Sequence, residues 1–252
     1  MKTWIDLTDR CPWVFDTEKM RAETALLNDG KLLSHYDVGL SEGWRAALLV
    51  SKNGEMSGPD SQRPAWITAS GEEFKRTPLV DELPYFRSIL DFFQCPQGRV
   101  RILKLAPGGS IGIHRDVAAE VGCLAFNQVR LHVPIITNDK VTFFVGGEQV
   151  KMQPGRLYYV NFSKLHSVKN AGDAPRYHLV MDLRVNDWLR RMFPPTTALE
   201  ELEFAFARTV WPTFWRLRWK RTQAAKLFWA HYNGSSIQRA VHKFRGQVPA
   251  DT

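Results

Sequence analysis

The sequence predicts a mainly β chain whose core is a double-sheet jelly roll or barrel. From Arg99 onward, apolar and polar residues alternate in short runs, and Gly and Pro residues separate these runs. Seven such runs lie between residues 99 and 185, a spacing that is typical of jelly rolls and barrels. The chain has 252 residues, of which 44% are hydrophobic, so it can form one large β domain with an appendage.

Each of the seven runs is expected to form a strand. They are Arg99–Leu105, Ser110–Asp116, Val129–Ile136, Val141–Val145, Gln149–Met152, Arg156–Phe162 and Arg176–Val185. Turns are expected at Pro107-Gly108-Gly109 and at Pro154-Gly155. The pair Gly146-Gly147 predicts a hairpin, because two glycines allow the tight turn that joins adjacent strands.

The first 97 residues predict flanking helices and one strand. Asp16 is placed to cap a helix over Thr17–Asn28. Leu83–Phe93 has apolar residues at helical spacing, and Pro84 suits the first turn of that helix. Trp44–Lys52 predicts a strand, which would join the sheet formed by the later runs.

Residues 194–252 predict a helical C-terminal extension that follows a jelly-roll domain over residues 1–193. Thr197 can cap a helix over Ala198–Arg208, with acidic residues near its positive end. Two more helices are expected, over Pro212–His231 and Ser236–Phe244, with Asn233-Gly234 between them.

The positive charge of the chain belongs to this extension. The formal net charge is +8, but residues 208–245 contain nine Lys and Arg and no Asp or Glu, so the rest of the chain carries −1. Four Trp lie among these basic residues: Trp211, Trp215, Trp219 and Trp229. The segment is expected to pack against the barrel or a second subunit, and contact with a membrane surface is the alternative. Nucleic acid is a weaker candidate.

Other features favour the cytoplasm. No signal peptide and no stretch of about 18 apolar residues is visible in the sequence. Cys11, Cys95 and Cys123 are few, odd in number and far apart, which argues against a disulfide scaffold and fits a reducing compartment.

His114, Asp116 and His166 form a candidate metal site. His114 and Asp116 stand two residues apart, and residues i and i+2 of a strand face the same side of a sheet. His166 begins another expected strand. Two imidazoles and one carboxylate are the facial set that non-haem Fe(II) oxygenases use. A polar strand end beside a capped histidine is the alternative interpretation.

Three more residues suggest an anion beside that site. Arg176 follows His166 by ten residues, and a buried arginine there could grip the distal carboxylate of a dicarboxylate co-substrate; a surface arginine is the alternative. Arg130 and His132 share one strand face, where a bound anion would satisfy both. An internal ion pair from Arg130 to a carboxylate such as Asp182 is the other possibility.

These stretches together resemble a known family. The order IHRD, RLHVPI, GRLYYVN, LHSV and PRYHLVMDL is similar to that of the aspartyl/asparaginyl β-hydroxylases, and most similar to the bacterial branch with cis-selective proline hydroxylases. The resemblance covers about residues 99–185. It implies a double-stranded β-helix (a jelly-roll, cupin-like core) and a dioxygenase that uses Fe(II), 2-oxoglutarate and O₂.

The resemblance also implies residue roles. His114, Asp116 and His166 would be the iron ligands, which fits the branch with a complete triad. Arg176 would bind the distal carboxylate of 2-oxoglutarate. Arg130 and His132 would support the same co-substrate, and Ser110 is a weaker candidate for it.

The substrate is expected to be a small molecule, most plausibly an amino acid or a derivative hydroxylated at an unactivated C–H bond. A peptide or protein residue, a lipid acyl chain, or a non-enzymatic binding module that docks on anionic polymer or membrane are the alternatives. Arg99 and Arg101 could bind a substrate carboxylate, although a solvated strand face is slightly favoured for both. Trp44 and Trp66 could line the pocket, although large aromatic residues more often pack in the core.

Overall fold

The computed structural model of the chain describes residues 2–28, 30–34, 41–57, 67–114, 116 and 122–209. The chain divides into two compact units, Met1–Glu201 and Leu202–Thr252. The predicted boundary between residues 193 and 194 stays a prediction. The helices expected over residues 212–231 and 236–244, the basic Trp-rich segment and Trp66 lie outside the described residues, so the partner contacts predicted for that segment also stay predictions.

Eleven strands, all paired antiparallel, form one sheet in the described part of the first unit. They are β1 (Trp4–Asp6), β2 (Leu33–Ser34), β3 (Ser41–Lys52), β4 (Phe74–Arg76), β5 (Gln97–His114), β6 (Gln128–Ile136), β7 (Val141–Val145), β8 (Glu148–Gln149), β9 (Tyr158–Val160), β10 (His166–Asn170) and β11 (Arg176–Arg184). The main path runs β1-β9-β6-β11-β5-β10-β7-β8, and β3 pairs with β2, β4 and β5. This curled sheet confirms the predicted jelly-roll class.

The strand β5 differs from the prediction, since the expected break at Pro107-Gly108-Gly109 does not end it. Its first part pairs with β11, with Leu105 opposite Arg176, whereas its last part pairs with β10, with His114 opposite His166. Gly108 adopts a positive φ of 72° between the two parts. The irregularity acts as a bulge, which bends a strand without ending its pairing. The single strand β5 is therefore paired in both halves of the curled sheet.

The neighbouring strand β3 follows this bend closely. Its register with β5 shifts between Glu42 and Trp44, where Glu42 lies opposite Ser110 and Trp44 opposite Leu105. A Cβ atom on Gly43 would lie 2.9 Å from the Cβ of Ala106, so glycine is needed for this close approach.

The hairpin at Gly146-Gly147 is confirmed. Both glycines have positive φ, 58° and 86°, and β7 and β8 pair on either side of them, with Val145 opposite Glu148. Two successive residues at positive φ match the twist of the flanking strands, which explains why glycine suits both positions.

Two of the predicted helices are present in the described part of the first unit. Helix α1 (Thr17–Thr24) is capped by Asp16, whose carboxylate accepts from the amides of Glu18 and Lys19 at 3.1 Å. It ends earlier than predicted, because the amides of Leu26 and Leu27 bond to carbonyls three residues back, which closes the last turn. Helix α2 (Pro84–Phe92) begins at the expected proline.

Shorter helical segments complete the described elements. They are α3 (Asp187–Arg190) and three 3₁₀ turns over Thr8–Arg10, Pro78–Glu82 and Leu124–Phe126. Residues 198–209 are helical. Thr197 and Glu200 exchange hydrogen bonds of 3.1 to 3.2 Å at the start of that helix, which confirms the predicted cap. Within the described residues, no helix is both long and apolar enough to cross a membrane.

The central strands β6 and β11 are buried along nearly their whole length. On one face lie fully buried apolar side chains such as Leu131, Val133 and Leu179. The register sets Arg130 opposite Asp182 and His132 opposite Val180. Because side chains alternate along a strand, polar residues of both strands share the other face. The sheet therefore has a buried polar face.

Candidate functional site

The structure brings His114, Asp116 and His166 together, as their spacing predicts. His114 ends β5 and His166 begins β10, directly opposite in register, with ring centroids 4.2 Å apart. The Oδ1 atom of Asp116 lies 3.7 Å from Nε2 of His114 and 3.6 Å from Nε2 of His166. One potential ligand atom from each residue lies within 4.8 Å of the others. This geometry is suited to a single metal ion.

Backbone carbonyls orient both imidazoles toward that centre. Nδ1 of His114 lies 2.8 Å from the carbonyl of Gly112, and Nδ1 of His166 lies 3.0 Å from that of Lys164. A carbonyl can only accept, so each Nδ1 carries a proton, and in the neutral ring Nε2 presents a lone pair. Burial lowers the pKa of His166 to about 4, which keeps this ring neutral at physiological pH. The donor set therefore fits a divalent first-row metal ion.

Arg130 orients the carboxylate of this group. Its Nη1 donates to Oδ2 of Asp116 at 2.5 Å, which leaves Oδ1 facing the histidines. Its Nε and Nη2 donate to the two oxygens of Asp182 at 2.5 and 3.2 Å. The internal ion pair that the sequence left open is therefore present. The role of Arg130 toward a co-substrate stays a prediction.

Asp182 is the centre of a buried charge cluster that the sequence did not single out as a site. Besides Arg130, its Oδ2 lies 3.6 Å from Nε of Arg99 and 3.5 Å from Nη1 of Arg101. Each of these two arginines is only 3% exposed, so the solvated strand face favoured for them is wrong. The signal in the sequence was the even spacing from Arg176 to Asp182, which puts both on one face of β11.

A cleft opens beside the candidate ligands. All three of them line it, together with polar residues from β5, β6 and β11 and apolar residues that include Trp44. The polar residues are Arg101, Arg130, His132 and Arg176. Ser110 is not among the lining residues, whereas its neighbour Ile111 is. Of the predicted co-substrate residues, three therefore meet at the cleft and Ser110 does not.

Arg176 is buried at the start of β11, which excludes the surface position considered for it. Its Nη2 lies 3.0 Å from Nδ1 of His178, and its guanidinium lies 5.9 Å from the ring centre of Phe143. Among the described residues, no carboxylate forms an ion pair with it. Burial lowers the pKa of Arg176 to about 9, since the cation has lost water without gaining an anion. The cleft therefore favours an anionic ligand at this end.

His132 also lines the cleft. Its ring stacks on Phe162 with centroids 5.2 Å apart, and neither ring nitrogen has a hydrogen-bond partner among the described residues. Burial, with the nearby charges of Arg176 and Arg130, holds the pKa of His132 well below its usual range. The ring is therefore neutral.

Three buried neutral histidines, His132, His166 and His178, should make the metal-free protein sensitive to acid. All three have a lowered pKa in the folded state, so between about pH 4 and 6.5 the unfolded chain binds protons that the folded chain does not. Stability therefore rises with pH across this window and is lost as pH falls. We expect each to contribute a slope approaching about 1.4 kcal/mol per pH unit, measured by urea unfolding from pH 5 to 7. Removing one histidine should lower the slope by about a third, and a flat profile would contradict the prediction.

Comparisons with known proteins extend these observations. A family model described as Aspartyl/Asparaginyl beta-hydroxylase matches residues 15–185. A 2OG-Fe(II) oxygenase family oxidoreductase from Burkholderia pseudomallei is 16% identical, with 66% of this chain and 78% of that chain covered and a TM-score of 0.42. A prolyl-4-hydroxylase from Pseudomonas putida is 13% identical, with coverage of 73% and 93% and a TM-score of 0.43.

The family match carries the assignment. It spans more than half of the chain and includes Asp116 and the whole of β5, β6, β10 and β11, the strands that hold His114, His166 and the buried arginines. The protein is therefore a member of the aspartyl/asparaginyl β-hydroxylase family.

Proposed function

We propose that the protein is an Fe(II)- and 2-oxoglutarate-dependent dioxygenase that hydroxylates an unactivated C–H bond of an amino acid or an amino-acid-derived small molecule. Membership of the family supports the hydroxylase type. The observation that carries the finer proposal is the cleft, which a facial His-Asp-His group and a buried arginine without a carboxylate partner among the described residues both line.

His114, Asp116 and His166 would hold the metal through Nε2, Oδ1 and Nε2. Three ligands on one side of an octahedral ion leave three positions for a chelating co-substrate and O₂. When bound, Fe(II) with 2-oxoglutarate would supply the oxidising power for C–H hydroxylation. The protein contributes the orientation of the ligands and an apolar wall that includes Trp44, Phe143 and Phe162.

Arg176 would bind the distal carboxylate of 2-oxoglutarate. A guanidinium presents its N–H groups in a planar fork that matches a carboxylate. The described part of the chain supplies no carboxylate to Arg176, so an incoming anion would compensate a buried charge rather than compete with a protein group. His132 and Arg130 lie in the same cleft and could assist, whereas Ser110 has weaker support because it does not line the cleft.

The charge at the other end of the cleft supports a substrate that carries a carboxylate. Arg176 lies opposite Leu105 of β5, and Arg101 lies four residues from Leu105 on the same strand. The Cα atoms of the two arginines are therefore about 13 Å apart along the strand direction. The carboxylate partner of Arg101 among the described residues is Asp182, which Arg130 already engages through two hydrogen bonds. A substrate carboxylate at Arg101 would compensate the remaining positive charge, which favours an amino acid over a lipid acyl chain.

Anaerobic titration tests metal and co-substrate together. We expect the weak visible charge-transfer band of a chelated keto acid when the protein is mixed with Fe(II) and 2-oxoglutarate. Arg176→Met should raise the Kd for 2-oxoglutarate at least about 100-fold, because charge-assisted hydrogen bonds to a buried carboxylate are lost. Arg87→Met is the matched control, since Arg87 pairs with Asp81 at the surface. A wild-type protein that shows no band would overturn the proposal.

A second arm of the experiment identifies the substrate class. With Fe(II), 2-oxoglutarate and O₂, succinate should rise with free amino acids and much less with their amides. A response confined to peptides or to lipids would replace the amino acid by that class. A protein that binds neither Fe(II) nor 2-oxoglutarate would favour a non-enzymatic binding module.

A further inference from the structure

We infer that His178 is a positioning residue that holds the guanidinium of Arg176 in the orientation needed to grip a carboxylate. The role rests on the proposed function, because the carboxylate is that of 2-oxoglutarate. The two side chains are 1% and 6% exposed, and Nη2 of Arg176 lies 3.0 Å from Nδ1 of His178. Sequence reasoning did not single out His178 for any role.

The chemistry of the pair determines the tautomer of His178. A guanidinium can only donate hydrogen bonds, so Nδ1 of His178 must accept and must carry no proton. The proton of the neutral ring then sits on Nε2. This is the reverse of His114 and His166, whose Nδ1 atoms face backbone carbonyls. The pairing with Arg176 therefore predicts that the imidazole proton of His178 is on Nε2 and not on Nδ1.

This arrangement is unfavourable for stability alone. Nε2 of His178 is buried and has no hydrogen-bond partner among the described residues. Leaving a buried N–H without a partner costs free energy that an apolar side chain of similar size would not cost. Unlike an apolar side chain, however, the histidine provides Nδ1 as the hydrogen-bond acceptor for Arg176.

Arg176 depends on that acceptor. Its bond to His178 is the only hydrogen bond that it forms with the described residues, and its guanidinium lies 5.9 Å from the ring centre of Phe143. Because the guanidinium is planar and attached to the chain at Nε, holding one of its five N–H groups restricts the orientation of the other four. Those four are then held in place for a ligand that enters the cleft.

The surroundings keep His178 in the accepting form. Arg176 on the same strand bonds to His178, and the ring of His132 on β6 meets that of His178 edge-on at 5.8 Å. Burial is the main reason that the pKa of His178 lies well below its usual range, and the positive charge of Arg176 lowers it further. The ring therefore stays neutral at physiological pH.

Two variants of His178 test the role. His178→Leu removes the acceptor, whereas His178→Asn places an amide oxygen near the position of Nδ1. We expect the Kd for 2-oxoglutarate, measured anaerobically with Fe(II), to rise about tenfold or more in the leucine variant, since a charge-assisted hydrogen bond is lost. It should return to within about threefold of wild type in the asparagine variant. The Kd for Fe(II) should not change in either variant, and the leucine variant should unfold at a urea concentration no lower than wild type.

A readout without co-substrate separates this inference from the proposed function. In metal-free wild-type protein, ¹⁵N NMR should show His178 protonated on Nε2 and not on Nδ1. A proton on Nδ1, or equal 2-oxoglutarate affinity in wild type and the leucine variant, would overturn the role of His178. Absence of 2-oxoglutarate binding in wild type, with the expected tautomer present, would instead overturn the proposed function and with it the purpose of the pair.

Discussion

Replacing Asp182 with asparagine should lower the free energy of unfolding by about 3–5 kcal/mol, because it removes the anion from a buried charge cluster. Asp182 accepts two hydrogen bonds from Arg130 and lies within 3.6 Å of both Arg99 and Arg101. Asparagine keeps the shape but leaves three guanidiniums close together without their shared carboxylate. Urea unfolding followed by circular dichroism measures the loss.

Asp6→Asn provides the matched control. Asp6 also pairs with an arginine, Arg156, at 2.9 Å, but the two side chains are 29% and 36% exposed. Water screens a pair at this depth, so the change should cost less than about 1 kcal/mol. Equal losses in the two variants would contradict the view that Asp182 is the main counter-charge of the buried arginines.

Replacing Asp116 with alanine should weaken metal binding by at least about 100-fold. Loss of a residue that only orients a metal ligand already costs about 10–100-fold, and Asp116 would supply one of three ligand atoms. A competition titration with a coloured chelator under anaerobic conditions, using Fe(II) or Co(II), measures the affinity without any turnover.

The variant Arg130→Met tests how much the orientation of Asp116 contributes to metal affinity when all three candidate ligands are still present. It keeps all three ligands but removes the bond of 2.5 Å to Oδ2 of Asp116, so we expect a loss within the range of about 10–100-fold. Asp182 would still lie near Arg99 and Arg101, so two positive charges would still compensate its buried carboxylate. Unchanged affinity in Asp116→Ala would exclude Asp116 as a ligand, whatever the result for Arg130→Met.

Local features of the fold could be predicted because they depend on a few neighbouring residues. Asp16 caps its helix through amides two and three residues away, and Gly146-Gly147 forms its hairpin through its own φ angles. The same local logic predicted His114 and Asp116 on one side of a strand; β5 ends at His114, before Asp116, but the two side chains still meet. The bend in β5 was predicted as a break, because whether a Pro-Gly-Gly stretch ends a strand depends on partners elsewhere in the chain.

The contacts inside the cleft needed the tertiary structure. Alternation along β11 puts Arg176, His178 and Asp182 on one face, but it does not say which of them pairs with a neighbour and which faces a ligand. That is decided by β5 and β6, which bring Arg101 and Arg130 to Asp182 and leave Arg176 beside His178.

The sequence by itself determined most of the strand pattern, the three candidate metal ligands and the resemblance to a hydroxylase family. Each of these depends on short stretches of neighbouring residues. What only the tertiary structure decided is how the buried charges are compensated. Asp182 and Arg130 are 52 residues apart, and their pairing depends on the register of two strands rather than on spacing within either one. That register leaves Arg176 as the buried cation that favours an anion from outside the described chain.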